Sequence, residues 1–309
     1  MTTRHDVSSV PMQGGYVAKH CPVRAQNDVL RPGVPLSTSP VLDRRFQRGR
    51  QFELDVLQEL RQLHPDLVLI EDGDQEQVAI DTAAAMTLGA KFIFGGRLPD
   101  DPVGRRVGKP DLLIAAPGGG YRPVDVKHHM SLVPADPKGR GVPGLCSPLT
   151  ELTFEAGQKD PNFDSRKHKG DLLQLAHYQR MLESAGLAPA GGRFAGIIGT
   201  ERRVVWYDLD APIWRTPSST GKQKLRTTME TYAFEFDFRL DVIAVAQRHP
   251  ADDLLVVPVL ISECAECPWA DYCRGQMEVG SGDVSLLPRV GWREWSMHQD
   301  RGVTDRAAL

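Results

Sequence analysis

The chain has 309 residues, of which 41% are hydrophobic and 25% charged, and its formal net charge is -3 at pH 7. This length provides one large domain or two ordinary ones with a core of their own, and the composition excludes a disordered chain. No apolar run approaches the roughly 18 residues of a membrane-spanning helix, and residues 1–15 lack the apolar core of a signal peptide. We therefore expect a cytoplasmic protein without membrane contact.

Residues 1–40 are rich in Pro, Gly and Ser, which predicts irregular chain. From residue 42 to residue 63 apolar residues recur at spacings of three and four, which predicts a helix. The pattern begins at Phe46, and Glu53 projects from the same face of this helix as Leu57 and Leu60. An acidic residue on a core-facing stripe is unusual, and it makes Glu53 a candidate functional residue.

Two short apolar runs within residues 66–98, LVLI and KFIFGG, predict strands on either side of a short helix, DTAAAMTLGA. The stretch PDLLIAAPGGGYRPVDVK follows with an apolar run, a glycine turn and period-two alternation, which predict a β-hairpin. With the turn centred near Gly119, Asp111 lies close to Lys127 across the pair. Lys127 shares its face of the strand with Asp125, because side chains alternate along a strand.

Residues 131–169 are polar and rich in Pro and Gly, which predicts a lid or a disordered insert. Residues 170–186 predict a helix that ends near Gly186. The runs FAGIIG and VVWYDL predict two strands, residues 213–224 a basic loop and residues 225–249 a long helix. This order predicts an α/β fold with a central mixed β-sheet flanked by helices, because the hairpin requires an antiparallel pair.

Three carboxylates and one ammonium group are expected to converge in this fold: Glu53, Asp111, Asp125 and Lys127. Hard oxygen ligands of this kind suit Mg²⁺ or Mn²⁺, and a neighbouring lysine orients water and helps to deprotonate it. The alternative interpretation is a simple ion pair between Asp111 and Lys127 within the hairpin. That interpretation leaves Glu53 unexplained.

The order of the motifs RGRQFE, GKPD, VDVK and QLAHY resembles that of the PD-(D/E)XK nuclease superfamily in its RecB-like form. The resemblance implies a restriction-endonuclease-like core and a role for each matched residue. These roles are metal binding by Glu53, Asp111, Asp125 and Val126, water activation by Lys127, and substrate contact by Gln174 and Tyr178.

The chain has five cysteines, an odd number that fits four metal ligands and one spare thiol better than a set of disulfides. Three of them, Cys264, Cys267 and Cys273, lie within the segment CAECPWADYC, and such a spacing indicates metal binding. Cys21 is preferred over Cys146 as the fourth ligand, because a proline follows it directly in HCPVR, as one follows Cys267.

One cysteine before the core and three behind it resemble the arrangement in the iron-sulfur members of this superfamily, of the AddB type and of the CRISPR-adaptation exonuclease type. The resemblance implies a [4Fe-4S] cluster on Cys21, Cys264, Cys267 and Cys273 that ties an N- and C-terminal subdomain together. Zinc on four thiolates is the alternative, and the spacing does not separate the two, since both accept such cysteine sets.

The expected organisation has four parts. Residues 1–40 carry the first cluster cysteine, residues 41–250 form the nuclease core and residues 251–280 hold the other cluster cysteines. Residues 281–309 contain LPRVG and RGVTDRAAL, which resemble a partial helix-hairpin-helix element presenting backbone N–H groups to DNA phosphate, although Trp292 and Trp295 depart from the small residues usual there.

Basic side chains form three clusters along this weakly acidic chain. One cluster is typical of a solvated surface, but three indicate local binding of anions such as phosphate, without specifying the anion. The clusters are Arg44, Arg45, Arg48 and Arg50; Lys159, Arg166, Lys167 and Lys169; and Lys222, Lys224 and Arg226.

The resemblance implies a metal-dependent deoxyribonuclease, an exonuclease on single-stranded DNA ends that works in DNA repair, recombination or CRISPR-like processing. A helicase or integrase is the partner that would supply the strand. The alternative is a non-cleaving DNA-binding or adaptor protein that keeps the fold and the cluster. The sequence leaves cleavage polarity and oligomeric state open, but intact Glu53, Asp111, Asp125 and Lys127 favour the enzyme.

Overall fold

The computed structural model describes residues 5–19, 21–34, 40–217, 222–249 and 255–309. The chain forms two compact units. The first consists mainly of Ser8–Lys19 and Phe46–Asp237, and the second mainly of His20–Arg45 and Phe238–Leu309. These boundaries differ from the expected division into four parts. The N-terminal segment contributes to both units, and the two parts expected after residue 250 both belong to the second unit.

The first unit contains a nine-stranded mixed β-sheet flanked by helices, which confirms the predicted α/β class. The strands lie in the order β1-β2-β3-β4-β8-β9-β6-β7-β5. Their bounds are β1 Val68–Leu69, β2 Phe92–Phe94, β3 Leu112–Ala115, β4 Tyr121–Val126, β5 Leu132–Pro134, β6 Pro143–Pro148, β7 Gln158–Ser165, β8 Phe194–Ile198 and β9 Arg203–Asp208.

Seven α-helices and one further hairpin complete the regular structure of the described residues. The hairpin pairs β10 (Trp214–Pro217) with β11 (Gln223–Arg226). The helices are α1 Pro22–Leu30, α2 Pro40–Leu63, α3 Gln75–Thr87, α4 Lys169–Ser184, α5 Thr228–Ala246, α6 Ala270–Met277 and α7 Trp292–Gln299. None of the described helices combines the length and apolar character that crossing a membrane requires.

The predicted β3–β4 hairpin is present, but its register differs from the expected one. Ala115 pairs with Tyr121 and Leu112 with Val124, so the turn is centred on Gly118 rather than Gly119. Continuing this register places Asp125, not Lys127, opposite Asp111. The predicted faces are nevertheless correct, because a shift of two residues leaves every side chain on the same face of a strand.

The glycine run at the tip of the hairpin is required by its backbone conformation. Gly118, Gly119 and Gly120 have φ angles of 84°, 101° and 80°, which side chains with a Cβ rarely adopt. The turn therefore depends on glycine, and it holds the two strands in the register that brings their acidic residues together.

The prediction of a lid or disordered insert over residues 131–169 is wrong. This segment contains β5, β6 and β7, which extend the main sheet, and Leu145 of β6 pairs with Trp206 of β9. The side chains of β7 are mostly exposed, so its polar sequence shows no apolar alternation. The basic loop expected over residues 213–224 likewise contains hairpin strands, since Trp214 pairs with Arg226.

Helix α2 packs its apolar stripe on the sheet through Phe52, Val56 and Leu60. The predicted stripe is partly wrong, because Phe46 is 59% exposed. Glu53 is half-buried at the border of the true stripe. A carboxylate at this border escapes the full cost of burial and still points toward the edge of the core.

Helix α4 is buried along almost its whole length. One side contacts β4 and β8, and another contacts the short 3-10 helix Gly15–Lys19. The contact is close at Gly15, where a Cβ would lie 3.1 Å from His177 Cβ. The helix ends as predicted, with Gly186 at a φ of 68° directly after it.

The second unit has a small core of its own, in which Val23 of α1 packs with Trp269, Cys273 and Met277. Its C-terminal part contains a 3-10 turn, Val284–Leu286, and the single helix α7. Residues 300–309 form turns and bridges instead of the second helix that a helix-hairpin-helix element requires.

Candidate functional site

Two aspartates meet at the adjacent ends of β3 and β4. The carboxylate of Asp111 accepts the backbone N–H of Val126 at 2.6 Å. The backbone carbonyl of Asp111 accepts the N–H of Gly95 at 2.9 Å, which fixes this residue to the end of β2. Asp125 lies in β4 and is fully buried. Backbone pairing of three strands thus positions both carboxylates.

Asp125 is the least satisfied polar group of the centre. Its Oδ2 lies 2.8 Å from the Nζ of Lys127, two residues along the same strand face. Among the described residues, Oδ1 of Asp125 has no hydrogen-bond partner, and Oδ2 has only the ion pair with Lys127. A buried carboxylate normally carries several hydrogen bonds, so this one has room for a further positive ligand.

Glu53 stands further out than the two aspartates. Its electrostatic neighbours include Lys127 and Asp125, so it borders the same centre. Among the described residues, however, Glu53, Asp111 and Asp125 are not a group whose ligand atoms all lie within 4.8 Å of one another. The predicted convergence therefore holds for the aspartates and places Glu53 at the rim.

The charges of the centre perturb one another strongly. Burial raises the pKa of Asp111 to about 8, and the charge of Asp125 adds to the shift. Burial also raises the pKa of Glu53, against the opposing charge of Lys127. Burial alone would lower the pKa of Lys127, but the charges of Asp125 and Asp111 outweigh it and raise that pKa. In this state Lys127 carries its proton and serves as the counter-ion.

The predicted pair on α4 lies beside this centre. Gln174 donates from Nε2 to the hydroxyl of Tyr178 at 2.6 Å, and that hydroxyl donates to the carbonyl of Lys109 at 3.1 Å. The approach of α4 to the GKPD segment is tight, since a Cβ at Gly108 would lie 2.9 Å from a ring carbon of Tyr178. Burial and the charges of Asp125 and Asp111 raise the pKa of Tyr178, so its hydroxyl remains protonated.

Lys19 is a member of the centre that the sequence prediction missed. Its Nζ donates to Gln174 Oε1 at 2.6 Å and lies 4.6 Å from the centre of the Tyr16 ring. Burial lowers the pKa of Lys19 to about 8, and the neighbouring charge of Lys127 adds to the shift. No sequence motif marks Lys19, because only the packing of the N-terminal 3-10 helix on α4 brings it here.

The chemistry of the donor set fits a hard divalent cation. Asp111, Asp125 and Glu53 supply only oxygen, and Val126 has only its main-chain carbonyl to offer because its side chain lies in the core. Burial is the main cause of the raised pKa values of Asp111 and Glu53, and the charge of Asp125 adds to both shifts, so a bound cation would favour their charged forms. Mg²⁺ and Mn²⁺ bind such sets through few carboxylates and retain water, which accommodates Glu53 at the rim.

In the second unit, the four predicted cysteines line one pocket. Burial and the charges of Cys267, Cys21 and Cys264 raise the pKa of Cys273 to about 12. The fifth cysteine, Cys146, lies in β6 of the first unit.

The pocket holds its cysteines on well-anchored backbone. The N–H of Cys21 donates to Glu263 Oε1 at 2.8 Å, and the N–H of Ile261 points at Cys264 Sγ from 3.5 Å. Of the described residues, no three of these cysteines have sulfur atoms that all lie within 4.8 Å of one another. The thiols thus surround a space instead of meeting at one point.

A histidine pair beside the carboxylate centre is the other group that the prediction missed. His129, His168 and Asp171 form the group of described residues whose ligand atoms lie within 4.8 Å of one another. His129 follows β4 closely, whereas His168 and Asp171 stand at the start of α4. The spacing of three between His168 and Asp171 was the only signal in the sequence.

No protein-family model, no curated protein and no solved structure matches this chain. The geometry of the two centres therefore carries the functional argument.

Proposed function

We propose that the protein is a metal-dependent deoxyribonuclease with a RecB-like PD-(D/E)XK core and an iron-sulfur cluster, acting on the ends of single-stranded DNA. The observation that carries the proposal is the buried carboxylate of Asp125, whose only polar side-chain partner among the described residues is Lys127 and which stands next to Asp111. A simple ion-paired hairpin would leave no unsatisfied oxygen, and it would not need the second aspartate.

Asp111 and Asp125, with Glu53 from the rim and the carbonyl of Val126, would hold Mg²⁺ or Mn²⁺. When bound, such an ion would supply Lewis acidity and neutralise negative charge during cleavage of a phosphodiester. The backbone of the hairpin fixes the directions of Asp111 and Asp125, so little reorganisation accompanies binding. A metal-dependent phosphodiesterase requires such preorganised carboxylates as its metal ligands.

Three cationic or polar groups surround the carboxylates and define where a phosphate lies. Lys127 holds a proton beside Asp125, so its ammonium orients water and phosphate by hydrogen bonds. Gln174 positions Lys19 through a 2.6 Å hydrogen bond, and Lys19 adds a second cation. Tyr178 keeps its hydroxyl proton and donates a hydrogen bond to the carbonyl of Lys109, which supports the wall of the site.

Exposed basic residues flank the start of α4, among them Arg166, Lys167 and Lys169. A second basic group lies on the exposed strand β11, with Lys224 among its members. Such clusters bind a nucleic acid backbone regardless of sequence and make binding depend on salt. They support DNA as the substrate even though the net charge of the chain is negative.

The cysteine pocket supports an iron-sulfur cluster rather than zinc. Zinc with bonds of about 2.3 Å requires sulfur atoms roughly 3.8 Å apart, because four thiolates then meet at one ion. In the described residues the sulfur atoms are more widely arranged than that. A polynuclear cluster bridges such a wider set, and it would join α1 to the segment that holds Cys264 and Cys267.

Cleavage of end-labelled single-stranded DNA in the presence of Mn²⁺ or Mg²⁺ tests the proposal. We expect wild-type protein to shorten the strand and Lys127→Ala to do so at least about 100-fold more slowly. Lys91→Ala is the matched control, because this lysine is exposed at the far end of the hairpin region and belongs to neither centre. Added EDTA should stop the wild-type reaction.

Two results would contradict the assignment. Equal rates for wild type and Lys127→Ala would show that another nuclease is present in the preparation. Salt-dependent DNA binding without cleavage, measured by fluorescence anisotropy with metal present, would favour the non-cleaving DNA-binding protein.

A further inference from the structure

We propose that His129, His168 and Asp171 form a binding site for a transition-metal ion of the zinc type, separate from the oxygen-only carboxylate centre. The site would join the end of β4 to the start of α4. It does not rest on the proposed nuclease function, because its ligands are imidazole nitrogens and its test uses no DNA.

The three ligand atoms all lie within 4.8 Å of one another. Asp171 Oδ2 lies 2.8 Å from His129 Nε2 and 3.0 Å from His168 Nδ1. Tetrahedral zinc with bonds of about 2.0–2.1 Å needs ligand atoms roughly 3.3–3.4 Å apart, so these two contacts would lengthen by a few tenths of an ångström when the ion enters. The two rings are stacked with centroids 4.9 Å apart, so both imidazoles lie on the same side of the Asp171 carboxylate.

The remaining ring nitrogen of His129 has the partner that a metal-binding histidine usually has. His129 Nδ1 lies 3.2 Å from the carbonyl of Met130. The carboxylate of Asp171 only accepts, so at 2.8 Å His129 Nε2 donates a hydrogen bond to it, and a bound metal ion would displace that proton. Once it is displaced, the contact of Nδ1 with the Met130 carbonyl holds the other proton on Nδ1 and leaves the Nε2 lone pair for the ion.

The backbone also holds all three residues in place. The N–H of His129 donates to the carbonyl of Lys127 at 2.7 Å, and its carbonyl accepts the N–H of Thr200 at 3.1 Å. The carbonyl of His168 accepts the N–H of Asp171 at 3.1 Å. Ligands on anchored backbone bind an ion with little loss of conformational entropy.

The burial of the group matches a site that an ion can enter. The side chain of Asp171 is only 9% exposed, whereas those of His129 and His168 are 31% and 48% exposed. The carboxylate thus lies deepest, and the histidines form the mouth. Nearby positive charge from Lys127 and Arg166 opposes a divalent ion, which favours nitrogen ligands over a purely electrostatic Mg²⁺ site.

Three protein ligands leave one coordination position open, as in catalytic zinc sites. An ion here would brace β4, which carries Asp125, against α4, which carries Gln174 one turn after Asp171. Its presence should therefore stabilise the first unit against heat.

Zinc binding to the full-length protein tests the inference. The protein is kept anaerobic, in excess Mg²⁺ to fill the carboxylate centre, and is titrated with Zn²⁺ against a chelating dye. We expect wild type to bind one equivalent more than His129→Ala or His168→Ala, or to bind it more than about 10-fold more tightly. The control is His128→Ala, which removes the exposed neighbouring imidazole.

Cobalt(II) separates this site from the cysteine pocket, because thiolate ligands give an intense near-ultraviolet charge-transfer band that imidazole and carboxylate lack. We expect a visible cobalt spectrum without that band in wild type, and its loss in His168→Ala. Both variants are first checked by circular dichroism for native secondary structure. Unchanged Zn²⁺ stoichiometry and affinity in folded His129→Ala and His168→Ala, or cobalt bound only through sulfur, would overturn the inference.

Discussion

The carboxylate of Asp111 accepts the backbone N–H of Val126 at 2.6 Å, across the open ends of β3 and β4. This bond holds Asp111 beside Asp125, the next residue back along β4, so a half-buried and a fully buried carboxylate lie close together. Such an arrangement is unfavourable on its own, since neither acid is fully compensated. The two carboxylates thus repel each other when both are charged, and a bound cation would offset this repulsion.

Asp111→Asn should separate charge from structure in this centre. Asparagine can still accept the N–H of Val126, but it removes a group whose pKa is raised from 3.8 to about 8. Because the pKa of Asp111 is higher in the folded protein than in the unfolded chain, its contribution to stability is fully present at low pH. That contribution is lost as pH rises through about 8. Without metal, the variant should be more stable than wild type at pH 8 by about 1 kcal/mol or more.

Thermal unfolding in EDTA at pH 5 and pH 8 measures this difference. Added Mn²⁺ should raise the midpoint of wild type and have little effect on Asp111→Asn. A variant that is less stable than wild type at pH 8 would mean that Asp111 is well compensated without metal.

Lys19→Met should lower cleavage by about 10-fold or more, because it removes a cation held in the centre by Gln174. The pKa of Lys19 is about 8, so cleavage that needs its charge should fall as pH rises through that value. Lys19→Arg stays charged and should shift this alkaline limb to higher pH. The pH profile of the cleavage rate measures both effects, with Lys91→Met as control. Identical profiles for wild type and Lys19→Arg would exclude Lys19 from the reaction.

Gly108→Ala should destabilise the first unit by about 1–3 kcal/mol. The added Cβ would lie 2.9 Å from Met181 Sδ and from a ring carbon of Tyr178, both on the buried helix α4. Gly73→Ala is the matched control, because a Cβ there meets nothing within 4 Å. Urea unfolding measures the two variants side by side, and equal midpoints would show that α4 yields easily at this contact.

His177 should make the protein sensitive to acid. Its Nε2 donates to the carbonyl of Val107 and its Nδ1 accepts from the hydroxyl of Tyr232, so the buried ring is neutral. Burial lowers the pKa of His177 from 6.5 to about 4. Between these values the unfolded chain binds a proton that the folded protein does not, so stability is lost as pH falls, by about 3 kcal/mol in total.

Denaturant unfolding between pH 7 and pH 4 measures this loss. His177→Gln can keep the bond to Val107 and should flatten the dependence, although it lowers stability at pH 7. His128→Ala should leave it unchanged, because that ring is exposed. A dependence in His177→Gln as steep as in wild type would assign it to other groups.

Cys21→Ser should remove the cluster, whereas Cys146→Ser should retain it. Cys21 lines the cysteine pocket and Cys146 does not. Anaerobic wild type is expected to be brown, with broad absorbance near about 400 nm. Iron and sulfide analysis of the three proteins measures occupancy. A colourless wild type with one zinc per chain would contradict the iron-sulfur cluster.

Local patterns predicted much of this structure correctly. The hairpin follows from alternation around PGGG, and helix α4 follows from its apolar spacing and from Gly186. The expected one-turn spacing of Gln174 and Tyr178 is present as a hydrogen bond between them, and the four cysteines line one pocket, while their role as cluster ligands stays a prediction. The hairpin, the helix and the pair of Gln174 and Tyr178 depend on interactions between residues close in sequence. The cysteines are a residue type that often occurs in groups of metal ligands.

Patterns failed where the partner of a segment is distant in sequence. Strands β6 and β7 were predicted as a loop, since β6 contains two prolines and a glycine and β7 has few buried side chains. Only their pairing with each other and with β9 identifies them as strands. The register of the hairpin was wrong by two residues, because alternation is insensitive to such a shift.

The sequence by itself determined the class of the fold and the turn that joins β3 to β4, and it singled out the acidic and cysteine residues as candidates. Tertiary structure alone decided that Asp125 is buried with Lys127 as its polar side-chain partner, that Glu53 stands at the rim, and that Lys19 and the group of His129, His168 and Asp171 join the same region. The reason is physical. Residue type and spacing specify local conformation, but distances between side chains depend on how helices and strands pack, and only those distances set burial and charge.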